Sequence, residues 1–162
     1  MAWQADLLLL TLLLMANGAP VVAEALCRQR CAWTLDALLA RGRGTGRVLF
    51  GAHKTLRGIV AALLAAAVGA SLLGVSAAFG AAVGALAMVG DLASSLVKRR
   101  CGLRAGAQAP GLDQIPESAL PTLVAVAVFD LGPWDVAAVV VGFALLESVL
   151  SRIWRRAFQA RA

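Results

Sequence analysis

The sequence predicts an all-α, polytopic membrane protein of about five transmembrane helices, and three observations predict it. Its 162 residues are 60% hydrophobic, with a mean hydropathy of +0.82, well above the roughly 45–50% apolar content of soluble domains. The apolar residues gather into runs of the length a bilayer requires, about 20 residues. Every Lys and Arg lies within residues 28–57, 98–104 or 152–161, between or after those runs.

The first run covers residues 6–26. No Lys or Arg precedes it, whereas a cleavable signal peptide has a positive n-region, so it reads as a retained spanning helix. Asn17 and Pro20 interrupt it, offering a polar side chain and a freed carbonyl at membrane depth. Residues 31–40 suit an interfacial helix with Trp33, Leu35, Leu38 and Leu39 toward lipid. Further spans fall at 58–75, 77–97, a short 117–131, and 133–151. Pro116 and Pro133 suit first helical turns, where a missing N–H does no harm. The links near 75–77 and 131–134 are tight enough to join antiparallel pairs. Gly80 and Gly84 form a small-xxx-small pair, with Gly69, Gly74 and Gly90 as further close-approach points. Trp134 and Trp154 suit the aromatic belts.

Five spans that start outside put all three basic segments on one face. The opposite face receives only the acids Asp6, Asp130 and Asp135. The positive-inside rule then sets the N-terminus outside and the C-terminus in the cytoplasm, with cytoplasmic loops at 27–57 and 98–116. One membrane domain, residues 1–162, in the cell membrane follows. The net charge of +6 and pI near 10.6 therefore describe juxtamembrane anchoring rather than a nucleic-acid partner. Cys27, Cys31 and Cys101 all fall in the cytoplasmic segments, where thiols stay reduced, and no other Cys or His completes a four-ligand zinc set with them.

Chemistry is confined to few positions. Lys54 and Arg57 sit where the first loop enters the second span, a helix N-terminus that favours anions. A point charge beside a bidentate fork suits phosphate, and anchoring to anionic headgroups fits them equally well. Asp91 lies inside an apolar span, where an ionised carboxylate is costly and marks function. At about 100° per residue, Asp91, Ser94, Ser95 and Lys98 share one helix face. Carboxylate and hydroxyls suit a hard cation such as Mg²⁺, and the ammonium suits phosphates that Mg²⁺ carries. A self-neutralising Asp91–Lys98 pair is the competing reading. Asp113, after the Pro110–Gly111 turn, returns a second carboxylate toward the membrane surface, and two acids from adjacent elements suit one or two Mg²⁺ ions; a turn or N-cap role fits it equally well. Asn17 suits either interhelical hydrogen bonding or a ribose or phosphate contact. His53 is the sole histidine and is a contact residue at most, since a lipid phosphate is already an anionic nucleophile.

Together these segments resemble the CDP-archaeol synthase family of CTP-dependent cytidylyltransferases. The resemblance rests on Ala16-Asn17-Gly-Ala-Pro20, Phe50-Gly51 with Lys54-Thr55-Leu56-Arg57-Gly58, Gly90-Asp91-Leu-Ala-Ser-Ser95 with Lys98-Arg99-Arg100, and Pro110-Gly111-Leu112-Asp113-Gln114. A more distant likeness links Ser95 to Arg99 with the Ser-x-x-Lys-Arg core of phosphatidate cytidylyltransferases. The resemblance implies a five-helix fold with a cytoplasm-facing site, where CTP and a lipid phosphate give a CDP-lipid and pyrophosphate with Mg²⁺. It implies Asp91, Asp113 and Lys98 at the catalytic centre, with Asp91 and Asp113 linked to metal. Lys54, Arg57, Lys98 and Arg99 would hold phosphates, and Asn17, Thr55, Ser95 and Gln114 would contact substrate. The acceptor would be an isoprenoid diether or diacyl glycerol phosphate, and a homodimer is compatible with it. Two departures stand out: Leu56 where the family commonly has Trp, and Pro116-Glu117 where archaeal members place another Asp. The competing functions are a non-enzymatic scaffold or small anion carrier, and an ordinary phosphatidate cytidylyltransferase.

Overall fold

The computed structural model describes residues 2–27, 33–43, 49–51, 53–104, 107, 109 and 111–159. Cys31, Pro110 and the side chain of Trp154 fall outside that description. Among the described residues the regular structure is helical: α1 Ala2–Cys27, α2 Leu35–Arg43, α3 Leu56–Leu72, α4 Ala77–Arg100, α5 Gln114–Phe129 and α6 Pro133–Gln159. Three of these are long and apolar enough to cross a membrane, through Trp3–Cys27, Ala77–Arg100 and Pro133–Ile153, and α3 and α5 are shorter apolar helices. The protein is thus an all-helical, multi-pass membrane protein.

Local chemistry explains where the helix ends depart from the hydropathy pattern. The Thr55 hydroxyl accepts from the Gly58 N–H at 3.2 Å, so α3 starts two residues before the apolar run at 58. It stops at Leu72 because Gly74 takes the left-handed conformation, φ +78°, while the Val75 N–H returns to the Ala70 carbonyl at 2.8 Å. Ser76 caps α4 through the Ala78 N–H. That helix runs on to Arg100, since Lys98, Arg99 and Arg100 favour the negative end of its dipole. Asp130, φ 52°, ends α5 at Phe129, and Asp135 ties the short link to α6 by accepting from the Gly132 N–H at 2.8 Å. The expected interruption of the first helix does not occur: α1 is continuous through Pro20. A single proline removes one backbone hydrogen bond, and its ring is seated against α3 at Gly58.

Short side chains let the helices approach closely. A Cβ on Gly80 would collide with the Ala66 carbonyl and the Ala70 side chain, and one on Gly84 would lie 3.1 Å from the Ala62 carbonyl. Leu12 and Met15 of α1 fill the space over Gly69. Leu9 and Leu13 of α1, Val83 of α4, and Val139 and Phe143 of α6 are buried in the apolar core. Outward-facing positions such as Leu64, Leu72, Val141 and Leu145 are exposed apolar residues, as lipid-facing surfaces require. Trp33, Leu38 and Leu39 are likewise exposed beside and along α2, consistent with an interfacial helix.

Gly80→Val should lower the thermal unfolding midpoint in detergent, by overpacking of about 1–3 kcal/mol. Gly18→Ala, with nothing within 4 Å of the added methyl, should leave it unchanged or slightly raised.

Candidate active site

The polar end of the bundle is organised by a piece of backbone clamping. The start of α2 and the approach to α3 run antiparallel through a Thr34–Thr55 bridge, with Leu35 N–H to Lys54 O at 2.8 Å and Leu56 N–H to Trp33 O at 3.0 Å. The Asp36 carboxylate accepts from three successive backbone N–H groups, Leu49 at 3.2 Å, Phe50 at 3.0 Å and Gly51 at 2.8 Å. Gly51 adopts φ +102°, a conformation that L side chains rarely take. The chain so held delivers Lys54 over α4, where its ammonium pairs with Asp91.

Asp91 follows Gly90, the point at which α4 and α5 touch. A Cβ on Gly90 would strike the Pro116 carbonyl and the Glu117 Cα, so glycine there permits the approach that brings the α5 entry to Asp91. Lys98, buried one helical stretch further on, pairs with Asp113 Oδ1 at 2.6 Å and donates to the Ala107 carbonyl at 3.1 Å. The other Asp113 oxygen accepts from the Ala109 N–H at 3.1 Å. The intrahelical Asp91–Lys98 pair is therefore absent: each aspartate takes a lysine from another segment. Nor does Asp113 act as a cap, since its side chain makes no capping hydrogen bond to α5.

These groups surround one cavity of about 810 Å³, within the 300–1,000 Å³ typical of ligand sites. Asn17 of α1 reaches it, as do Lys54, Thr55 and Arg57 from the α3 entry. From α4 come Asp91, Ser95, Lys98 and Arg99, and Asp113 joins them from the turn before α5. His53 also lines it and is exposed. Several carry local duties as well: Thr55 caps α3, and Arg99 donates to the Arg104 carbonyl. Ser94 is not among the cavity residues, and its hydroxyl donates to the Asp91 carbonyl at 2.9 Å. Gln114 stands apart from the cavity, and its Oε1 accepts from the Gly111 N–H at 2.8 Å in the turn before α5.

Three cavity acids, Glu24, Glu117 and Glu147, were given no role by the sequence reading. Glu117 is 94% buried, within electrostatic reach of Asp91, Glu147 and Asp113, with Lys54 as the opposing cation. Glu147 projects from α6 into the same space. An acid within the apolar run 133–151 was a readable signal for Glu147, by the logic that singled out Asp91. Nothing in the pattern around Asp36 announces its clamp.

The apolar helices of this multi-pass membrane protein thus enclose a cavity rich in lysine, arginine and carboxylate, a charge pattern that suits a phosphorylated ligand. Comparison with known proteins narrows this. Residues 71–154 match the family model described as CarS-like, CDP-archaeol synthase. The CDP-archaeol synthase of Aeropyrum pernix is 33% identical over 124 residues, 70% of this chain and 67% of that protein. That of Methanopyrus kandleri is 43% identical over 76 residues, 43% of this chain and 44% of that protein. A solved structure of an intramembrane enzyme for archaeal membrane lipids biosynthesis superposes with a TM-score of 0.72 at 28% identity, covering 90% of this chain and 91% of that one. The chain belongs to the CDP-archaeol synthase family. It is a CTP-dependent cytidylyltransferase acting on a lipid phosphate.

Asp36→Ala should free the three clamped amides. Hydrogen exchange at Leu49, Phe50 and Gly51 should quicken, while exchange in the middle of α4 stays at its wild-type rate.

Proposed function

We propose that the chain joins the cytidylyl group of CTP to the phosphate of an archaeol-type glycerolipid, at the cytoplasmic face of the cell membrane, with Mg²⁺. The observation that carries the reading is the meeting of Asp91 and Asp113, each bearing a lysine, in one cavity. The cytoplasmic placement rests on the positive-inside rule applied to the basic segments, whose Lys54, Arg57, Lys98 and Arg99 line that cavity. The archaeol-type acceptor rests on the family and on the names of its relatives.

The donor set fits a hard cation. Among the described residues no three acids or histidines stand close enough for an all-protein cage. Mg²⁺ needs none, because it takes one or two carboxylates and leaves its other positions to water and substrate phosphates. Asp91 and Asp113 are the residues that would hold it. When bound, Mg²⁺ supplies charge neutralisation on the transferring phosphoryl group.

The remaining work falls to the protein's own side chains. Lys54, Arg57, Lys98 and Arg99 gather the anionic oxygens of CTP and of the lipid headgroup on one cavity wall. Bringing phosphates to Lys54 and Lys98 displaces the aspartates from those ammonium groups, so both carboxylates become available as the substrates arrive. A lipid phosphate oxygen then attacks the α-phosphorus of CTP. The new O–P bond forms, the bond to the bridging oxygen of the β-phosphate breaks, and pyrophosphate departs with the electron pair. No general base is required, since the attacking oxygen is already ionised. Catalysis is positioning plus electrostatic stabilisation, and the lysine and arginine donors supply the latter where charge accumulates.

Purified protein given radiolabelled CTP should place label in the lipid phase with a diether glycerol phosphate. A diacyl acceptor offered in parallel tests for an ordinary phosphatidate cytidylyltransferase, and no lipid-soluble label with any acceptor would favour a scaffold or anion carrier. Asp91→Asn and Asp113→Asn should each lower turnover by at least about 10²–10³-fold, and near-normal rates in both would refute their roles. Chelation should stop the reaction, and Mg²⁺ should restore it.

A further inference from the structure

Among the cavity groups that the proposed chemistry does not use, two stand out as orphans. Asn17 Nδ2 and Glu147 Oε2 are both buried, and neither has a hydrogen-bond partner among the described residues. One is a donor and the other an acceptor, they line the same cavity, and they come from α1 and α6, which pack against each other. Asn17 lies fifteen residues into α1 and Glu147 fourteen into α6, each counted from the first residue of its helix. Buried orphans are rare because each costs the desolvation of its polar group. A donor and an acceptor left open on adjacent helices fit a ligand edge that presents the opposite pair.

The ligand phosphates are accounted for by the cation wall, so the question is which other substrate group can satisfy a carboxylate. A fully substituted glycerol phosphate has no hydrogen-bond donor to give. The nucleotide has two kinds: ribose hydroxyls and the exocyclic amine of the base. Hydroxyls rotate to serve as donor or acceptor, so they call for no fixed polarity in the protein. Cytosine does, with its 4-amino donor beside the N3 acceptor, and carboxylate acceptance from that amine is an established mode of cytosine readout.

Resting on the cytidylyltransferase reading, we infer that Asn17 and Glu147 read the base of the nucleotide. Glu147 accepts from the 4-amino group of cytosine, and the Asn17 amide donates to N3. Uracil is rejected because its O4 would face the carboxylate and its N3–H would face the amide donor, leaving buried polar groups unpaired.

The test compares CTP, UTP and dCTP, in turnover and in equilibrium binding to the purified full-length protein. Glu147→Gln, which gives that position a donor, should weaken CTP binding by about tenfold to a hundredfold and cut the CTP-over-UTP preference by at least about tenfold. Asn17→Asp should do the same from the other side, and the double variant should favour UTP most. Glu147→Asp, which keeps the acceptor, should retain the CTP preference and guards against a merely structural loss. Wild-type CTP-over-UTP ratios in both Glu147→Gln and Asn17→Asp would overturn the inference. So would a change confined to the CTP-over-dCTP ratio, which points to ribose, or one confined to the Mg²⁺ requirement, which points to a metal ligand. Wild-type protein that binds CTP in preference to UTP but labels no lipid counts against the cytidylyl transfer, while the preference of the variants still decides the role of the pair.

Discussion

Ionised groups inside an apolar bundle must be matched, and that requirement shapes the functional end of this protein. Desolvating a carboxylate or an ammonium costs several kcal/mol, recovered only when a partner stands close and further hydrogen bonds are made. Asp91 meets the requirement with Lys54, and Lys98 with Asp113, which also receives the Ala109 N–H. Each pair joins segments distant in sequence. The first ties the entry of α3 to the middle of α4, and the second ties the end of α4 to the turn before α5. Charge matching therefore draws both polar connections down onto the helices and closes the walls of the cavity.

The apolar half works in the opposite way, by having little side chain at all. Gly80 and Gly84 lie flush against α3, and Gly90 does the same against the start of α5. Backbones this close leave room only for dispersion contacts, which drive helix association where lipid is as apolar as the protein. Gly90 belongs to both halves. It is a packing residue by its own contacts, and it sets the separation between Asp91 on one helix and the Asp113–Glu117 stretch on the next.

Much of this was readable from composition and spacing. An acid in the apolar run ending at Lys98 stood out because lipid makes such a residue expensive. Lys54, Arg57 and Lys98 stood out because they flank runs of bilayer length. The pairing was not readable. Helical spacing puts Asp91 and Lys98 on one face, and only the folded loops show that each turns to another segment. The role of Asp36 depends on three amides thirteen to fifteen residues away, a relation invisible to local pattern. Gln114 belongs to a recognisable motif, and the hydrogen bond from the Gly111 N–H to its Oε1 was not readable from it. Helix ends shifted by a few residues because caps at Thr55 and Gly74 outrank hydropathy at termini. Glu147 followed the same rule as Asp91 and simply went unread.

The two short helices carry a consequence for the surrounding lipid. With 17 residues in α3 and 16 in α5, their axes run only about 24–26 Å, against a hydrocarbon thickness of about 30 Å. Both start at the rim of the cavity. A mismatch of this sign is relieved by local thinning of the bilayer, by snorkelling of flanking residues or by oligomerisation. Where thinning is the response, a lipid phosphate starts nearer to the cations proposed to receive it, and deformation of the membrane becomes part of how that substrate is presented.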